Sequence, residues 1–394
     1  MSLSSPKTPI HQLDGFRAWA IIIVLFYHLK VSAYGYPINL IGSAGWSLVQ
    51  LFFVLSGFLL SIEYIYNGKN KVSCPSALKF YKKRMARIFP LFFFSMFVYL
   101  CYGYVNKSLP SIEDILLHFV FLHNLLPKNS DIYSPYWSLA VEVQVYLLFP
   151  LIGYLIHRAL HSGKILYLVL LVFFLVAGPL LYRILVTVFY SDYNIQRDYI
   201  PLIYSSTISN LDSFAWGIIG ALAYVYDIQR RVPVWTGWVG LGISTLIIAG
   251  LFHFSHYQNG WKLSFGYFAP SLFYTLLNSA WTMMIVSALI LKDSWVNIFF
   301  ANKIFHFISL ISYSMYIWHL RVFGLVRHTL ILTGMNQAVW QHELHIGLTF
   351  LLTICLSTLT YYWIELPFMK LGKGEKPWGG NVKLAVFRVR KIFF

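Results

Sequence analysis

Long apolar runs, each of the length that a membrane-crossing helix needs, occupy most of this chain and decide what it can fold into. About 20 apolar residues in a helix span the hydrocarbon core of a bilayer. Only 11% of the residues are charged and 58% are hydrophobic, whereas an average soluble domain carries about 25% charged residues. The sequence therefore predicts an all-α polytopic membrane protein with about ten transmembrane helices. The predicted crossings are 17–34, 46–66, 88–105, 137–156, 165–189, 204–227, 234–254, 271–291, 304–332 and 344–366.

A further apolar run, 115–126, is too short to cross, and we interpret it as a re-entrant or interfacial helix. The basic residues support this choice, because most of the 30 Lys and Arg residues then fall on the side of the N-terminus. Counting 115–126 as a crossing would move the pair Arg230 and Arg231 to the opposite side. The positive-inside rule thus predicts that both termini are cytoplasmic.

The chain divides into one membrane domain, residues 1–369, and a basic cytoplasmic tail, residues 370–394. The net charge of +16 is interpreted as orientation and lipid contact rather than as nucleic-acid binding, because basic residues in a membrane protein first report topology. The three cysteines are scattered and no His/Cys group has the spacing of metal ligands. We therefore expect no metal site.

The first predicted helix carries Asp14, Arg17 and His28, and ionisable residues within a span are functional candidates because they are costly there. Arg17 and His28 are eleven residues apart, which returns to nearly the same helix face with a rise of about 16 Å. Arg17 is then near the membrane surface while His28 points into the bundle. A structural alternative stays open, in which Arg17 reaches the interface and His28 bonds a neighbouring helix.

A second cluster consists of Ser138, Glu142 and Tyr146, whose i, i+4, i+8 spacing puts them on one helix face. A carboxylate in this position must be paired or protonated, because an unpaired buried charge is very costly. Glu142 is interpreted either as a structural partner of an Arg or His on another helix, or as the orienting or acid–base partner of His28.

The third cluster is the basic stretch that contains Lys83, Arg84 and Arg87, just before an apolar run. Arginines three residues apart can clamp phosphates through bidentate hydrogen bonds. Topology alone also places basic residues at such a position. Weaker single signals come from Asp212, Ser314, His319 and Glu365, each more often structural than catalytic.

Six stretches carry a recognisable combination of motifs: 13–17 with His28 in Arg-x10-His spacing, 51–57, 84–90, 137–142, 311–319 and 361–367. Taken together, these segments resemble the acyltransferase-3 family of integral membrane O-acyltransferases. The sequence departs from the family at Asn210, since the family usually carries Arg before the following Asp212.

The resemblance implies transfer of an acyl group, usually acetyl, from cytoplasmic acyl-CoA to a sugar hydroxyl. The acceptor implied is a lipid-linked or exported cell-surface glycan, such as lipopolysaccharide, and the location implied is the bacterial inner membrane. Some members carry an appended soluble hydrolase-like domain, and we expect this protein to lack one.

Under this hypothesis a neutral His28 imidazole takes the proton of the acceptor hydroxyl, or is itself acylated, with Glu142 or Asp14 holding its tautomer. The expected acyl-CoA contacts are Arg17, Lys83, Arg84 and Arg87. Weaker candidates for substrate or oxyanion contacts are Ser56, Ser138, Tyr146 and His319.

Two other functions stay open. A proton-coupled secondary transporter would also use intramembrane His and Glu side chains, although the inverted repeats common in transporters are not visible. An acyltransferase acting on a small secondary metabolite would differ only in its acceptor.

Overall fold

A computed structural model describes residues 10–29, 45–125, 132–189, 201–257, 268–334 and 341–377. Within these ranges every regular element is helical and no strand occurs. The α-helices are α1 (His11–His28), α2 (Leu48–Lys69), α3 (Ala77–Val105), α4 (Ile112–Phe119), α5 (Tyr136–His161), α6 (Ile165–Phe189), α7 (Thr207–Val225), α8 (Ile228–Arg231), α9 (Val234–Tyr257), α10 (Phe268–Ile290), α11 (Trp295–Phe300), α12 (Lys303–Leu332), α13 (Gln341–Thr360) and α14 (Leu366–Gly372).

Within the described ranges, eight helices are long and apolar enough to cross a membrane, and each coincides with one of the predicted runs. The other two predicted crossings, 17–34 and 304–332, fall on α1 and α12. These two helices are more polar because they carry the ionisable residues considered below; residues 30–34 lie outside the described ranges. The prediction of an all-α polytopic membrane protein is confirmed.

The short run near 115–126 contains α4, which has 8 residues and a length of about 12 Å. A 3-10 turn, His123–Leu125, follows it, and residue 126 lies outside the described ranges. α4 begins three residues earlier than the apolar run because the Ser111 hydroxyl accepts a hydrogen bond from the Asp114 backbone N–H. A helix of this length cannot cross a bilayer.

The predicted tail is described only as far as residue 377. Its first residues, from Lys370 to Gly372, complete α14, so the predicted boundary falls inside a helix. The separate basic tail over 370–394 stays a prediction.

Helix α1 packs against α11 and α12 through small and apolar side chains. A Cβ atom on Gly15 would lie 2.1 Å from the carbonyl oxygen of Phe300, so only glycine permits this approach. Next to it, the rings of Phe16 and Phe300 stack with centroids 4.2 Å apart. Further along α1, Ile21 and Leu25 are buried in a cluster with side chains of α12. The Leu-Asp-Gly-Phe stretch thus fixes where α1 lies.

A fully buried ion pair joins α6 to α7. Arg183 Nη2 lies 2.6 Å from Asp212 Oδ2, and both side chains are 0% exposed. Arg183 Nη1 also donates to Asp212 Oδ1 at 3.2 Å, so the pair is bidentate, and the Thr275 hydroxyl of α10 bonds the same carboxylate. Asn210, where the family usually has Arg, instead donates to the carbonyl of Ser206 and accepts a bond from Gln50. The cation that pairs with Asp212 is therefore Arg183 of α6, and not a residue of α7.

We expect Arg183→Met to lower the stability of the purified protein by about 3–5 kcal/mol, because it leaves a buried carboxylate without a cation. The double variant Arg183→Met, Asp212→Leu removes both charges and should recover most of that loss. Thermal unfolding in detergent measures both. Equal destabilisation in the single and double variants would contradict the ion-pair interpretation.

Two histidines stack where α4 ends, outside the membrane-spanning helices: His118 is in α4 and His123 is in the 3-10 turn that follows. The rings of His118 and His123 lie 3.8 Å apart and within 4° of parallel. Burial, with a smaller contribution from His118, lowers the pKa of His123 to about 3. Burial also lowers the pKa of His118. Both imidazoles are therefore held neutral in the folded chain.

Acidification should destabilise this region. Unfolded histidine titrates near pH 6.5, so the unfolded chain binds protons that the folded chain excludes as the pH falls from about 6.5 toward 3, and stability falls across that window. The melting temperature should drop less steeply with pH for His123→Gln than for the wild type. If the melting temperatures of His123→Gln and the wild type changed identically with pH, His123 would not be the cause of the acid destabilisation.

Candidate functional site

A cavity of about 310 Å³ lies where α1, α2, α3, α5 and α12 meet. Most of the residues singled out from the sequence line it, although they come from separate parts of the chain. The polar lining residues are Arg17, Ser56, Arg84, Arg87, Ser138, Glu142, Tyr146, Ser312, Tyr313 and Tyr316.

The cavity is strongly cationic. Arg17, Arg84 and Arg87 face it, and Glu142 is the single carboxylate among the described residues that line it. Among the described residues none of these arginines has a carboxylate within ion-pair distance. The guanidinium of Arg84 also lies 5.7 Å from the ring centre of Tyr146. Three guanidiniums against one carboxylate in a confined space form a site for a polyanionic group.

Glu142 holds the α2–α5 contact inside this cavity. The Ser56 hydroxyl donates to Glu142 Oε1 at 3.0 Å, and the Tyr146 hydroxyl donates to the same oxygen. Ser138 lies one turn before, as the i, i+4, i+8 spacing predicts, and all three side chains of that face line the cavity. The structure therefore brings this predicted cluster together with Ser56.

A chain of contacts leads from the cavity to two histidines. The Ser138 hydroxyl donates to the Tyr316 hydroxyl at 2.8 Å, and the Tyr316 ring lies 5.7 Å from the His319 ring. The His319 ring in turn lies 4.9 Å from the ring of His28. His28 thus does not line the cavity itself; Tyr316 and His319 stand between them.

The tautomer of His319 follows from its backbone contact. His319 Nδ1 lies 2.7 Å from the carbonyl oxygen of Tyr316, and a carbonyl can only accept, so Nδ1 carries the hydrogen. In the neutral ring Nε2 then has a free lone pair. That atom is buried and has no hydrogen-bond partner among the described residues. An unpartnered basic nitrogen in a buried site is suited to accept a proton.

The predicted carboxylate partners of His28 are not the observed ones. Asp14 is about 21 Å from His28 along α1, and its carboxylate bonds His306 at 2.9 Å and Ser309 at 3.2 Å. Glu142 bonds side chains of α2 and α5, as described above. Neither carboxylate is hydrogen-bonded to His28 among the described residues: Asp14 lies about four turns away on the same helix, and Glu142 is bonded to Ser56 and Tyr146. Helix periodicity does not reveal that Glu142, on another helix, faces these two hydroxyls.

Lys83 also departs from the prediction. Its side chain is exposed and does not line the cavity, whereas its neighbours Arg84 and Arg87 do. One residue is about 100° of rotation on a helix, so Lys83 faces away. Three of the four predicted acyl-CoA contacts lie in one place.

Sequence analysis named His319 of α12 but missed three other residues of that helix. Ser312, Tyr313 and Tyr316 line the cavity, and their spacing of three to four residues within an apolar stretch marks a polar helix face that could have been found. Glu365, fully buried in the π-helical turn Tyr361–Glu365, accepts a hydrogen bond from Ser314 outside the cavity.

A larger cavity, of about 520 Å³, lies at the ends of α2, α7 and α10. Lys69, Arg230 and Lys292 line it, but it contains none of the predicted site residues. Lys69 is already engaged, because its Nζ donates to the carbonyl oxygen of Val225 at 2.6 Å. The smaller cavity is therefore the candidate active site.

The described residues include a group with metal-ligand chemistry, which the spacing along the chain did not indicate. His11, Asp14 and His306 have potential ligand atoms within 4.8 Å of one another. The group combines α1 with α12 and so cannot be recognised from linear spacing.

Fold and cavity together define a helical membrane protein with a cationic site inside the bundle. The family model described as "Acyltransferase domain" matches residues 10–362, and the chain belongs to this family, acyltransferase-3, as its motifs predict. Relatives include the O-acetyltransferase OatA of Staphylococcus aureus strains NCTC 8325 / PS 47 and COL, 26% identical over 383 residues and 91% of this chain. The alignment spans 57% of those relatives' length. No solved structure gives a significant match to the chain.

Proposed function

We propose that this protein is a membrane O-acyltransferase that moves an acyl group, most simply acetyl, from cytoplasmic acyl-CoA to a hydroxyl of a glycan. The observation that carries the proposal is the convergence of Arg17, Arg84 and Arg87 on one cavity. Family membership and the names of the O-acetyltransferase relatives support it. The inner-membrane location and the cytoplasmic termini belong to the same proposal, with the positive-inside distribution as their support.

The donor is assigned to the cationic cavity because CoA carries several phosphate charges. Guanidiniums recognise phosphate oxygens through bidentate, charge-assisted hydrogen bonds. The volume, about 310 Å³, is at the lower end of small-molecule sites. We therefore assign the pyrophosphate and part of the pantetheine arm to this cavity, with the nucleotide base outside it.

The histidine pair supplies the proton transfer. A neutral imidazole of His28 accepts the proton of the acceptor hydroxyl as its oxygen attacks the thioester carbonyl. The C–S bond then breaks, and the CoA sulfur leaves as a thiolate that takes the proton back from the imidazolium. In His319, Nδ1–H is bonded to the Tyr316 carbonyl, so Nε2 is a second proton acceptor on the ring next to His28.

Ser138 and Tyr316 are assigned to positioning. Their mutual hydrogen bond at 2.8 Å links α5 to α12 where the cavity approaches the histidines. Both hydroxyls lie on the route from the arginines to His319, so they are the candidates to bond the thioester oxygen as negative charge develops on it.

We expect His28→Ala to lower the rate of acyl transfer by about 10²–10⁴-fold, the usual contribution of a general base. His319→Ala should also lower kcat, while binding of acyl-CoA to the arginines is retained in both variants. The measurement is release of free CoA by purified protein with its acceptor. His328→Ala is the matched control, since His328 is an exposed histidine on the same helix as His319. Full activity of His28→Ala would contradict the mechanism.

Binding of the donor should depend on the arginines of the cavity and not on basic charge in general. Arg84→Ala and Arg87→Ala should each weaken acyl-CoA binding about tenfold or more, since a hydrogen bond to a charged group contributes about 1.5–3 kcal/mol. Lys83→Ala removes an adjacent positive charge that faces away from the cavity, and it should change affinity little. Isothermal titration calorimetry on the detergent-purified variants measures their affinity for acyl-CoA. Equal losses in all three variants would indicate non-specific charge attraction.

Mass spectrometry of surface polysaccharide from cells with and without the protein identifies the acceptor. Loss of an acyl mass increment supports the glycan, and an unchanged polysaccharide with acyl-CoA consumption retained supports a small metabolite. Uptake by vesicles without acyl-CoA consumption would support a transporter instead.

A further inference from the structure

Three side chains with metal-ligand atoms meet where α1 and α12 begin. His306 Nδ1 lies 2.9 Å from Asp14 Oδ2, and His11 Nδ1 lies 3.8 Å from the same oxygen. The two imidazole rings are edge-to-face, with centroids 5.7 Å apart. None of these residues lines the candidate active site.

We propose that His11, Asp14 and His306 bind a divalent transition-metal ion, with Zn²⁺ as the ion of choice. Two imidazole nitrogens and one carboxylate oxygen are a ligand set of zinc and of non-haem iron sites. Tetrahedral zinc with bonds near 2.0–2.1 Å separates its ligand atoms by about 3.3 Å. All three ligand atoms are already within 4.8 Å of one another. Small side-chain rotations therefore suffice to close the site.

Ligation replaces the hydrogen bond between His306 and Asp14. The hydrogen on His306 Nδ1 moves to Nε2, so that the Nδ1 lone pair faces the metal, and any extra proton is released to solvent. The Ser309 hydroxyl donates to the other carboxylate oxygen, Asp14 Oδ1, at 3.2 Å. Such an outer hydrogen bond orients a ligating carboxylate.

The site is open to solvent, which leaves room for water ligands. The side chains of His11, Asp14 and His306 are 51%, 24% and 42% exposed. A simple interhelical hydrogen bond would need only Asp14 and His306. His11, on the same helix face three residues before Asp14, adds the third ligand that a hydrogen-bonded pair would not need.

A bound ion would join the first turns of two helices that both carry candidate catalytic residues. α1 carries Arg17 and His28, and α12 carries Tyr316 and His319. The metal is assigned this linking position and no part in the acyl transfer, so the inference is independent of the proposed function.

The test is zinc binding by the full-length protein purified in detergent and stripped of metal with a chelator. Titration with ZnCl₂, followed by dialysis and elemental analysis, should give one tightly bound Zn²⁺ per chain. His11→Ala, His306→Ala and Asp14→Asn should each weaken that binding about tenfold or more, by analogy with the effect of lost ligand support. His11→Ala keeps the test independent of folding, because this side chain is exposed in the first helical turn.

His328→Ala is the matched control, an exposed histidine on the same helix as His306. It should bind Zn²⁺ as the wild type does. Absence of stoichiometric binding by the wild type would overturn the proposal. So would unchanged binding in His11→Ala and His306→Ala, or an equal loss in His328→Ala.

Discussion

The candidate site depends on the parallel packing of α1 against α12. Asp14 contacts His306 and Ser309 at one end of the pair, and His28 contacts His319 at the other. The separations agree, since 14 residues of α1 and 13 residues of α12 are about 21 Å and 20 Å long. Both helices are odd-numbered crossings in the predicted topology, which is what parallel packing requires.

This register decides which side chains meet. Between its two ends, Arg17 faces the cavity from α1 while Tyr316 faces it from α12. The remaining walls come from α2, α3 and α5, and the hydrogen bond from Ser56 to Glu142 joins α2 to α5. A shift of one helical turn between α1 and α12 would separate the two histidines and leave Asp14 without its partners. Polar contacts inside an apolar bundle thus select one arrangement, because in lipid each polar group needs a protein partner.

The sequence predicts a large part of this arrangement. Apolar run length identifies the helices, and helical periodicity correctly groups Ser138, Glu142 and Tyr146, because both depend only on residues close in the chain. Arg84 and Arg87 are likewise found from their three-residue spacing. The match of residues 10–362 to the family confirms the resemblance drawn from the motifs.

The contacts between helices could not be predicted in this way. Asp14 and His306 are 292 residues apart, and Arg183 forms an ion pair with Asp212 on another helix. Which face of one helix meets which face of another is set by side-chain packing, such as the close approach of Gly15 to Phe300. A single sequence contains no local signal for such pairs, so Glu142 is assigned to His28 from chemistry alone. Asp14 is different, because its separation of about 21 Å from His28 follows from their positions on one helix.

The central claim is that the arginine cavity and the histidine pair are two ends of one site. The most direct measurement is an experimental structure of the protein with a non-hydrolysable acyl-CoA analogue. We predict phosphate oxygens within hydrogen-bond distance of Arg84 and Arg87, and the acyl carbon next to His28 and His319. An analogue bound in the larger cavity beside Lys69, or an acyl carbon remote from both histidines, would contradict the account.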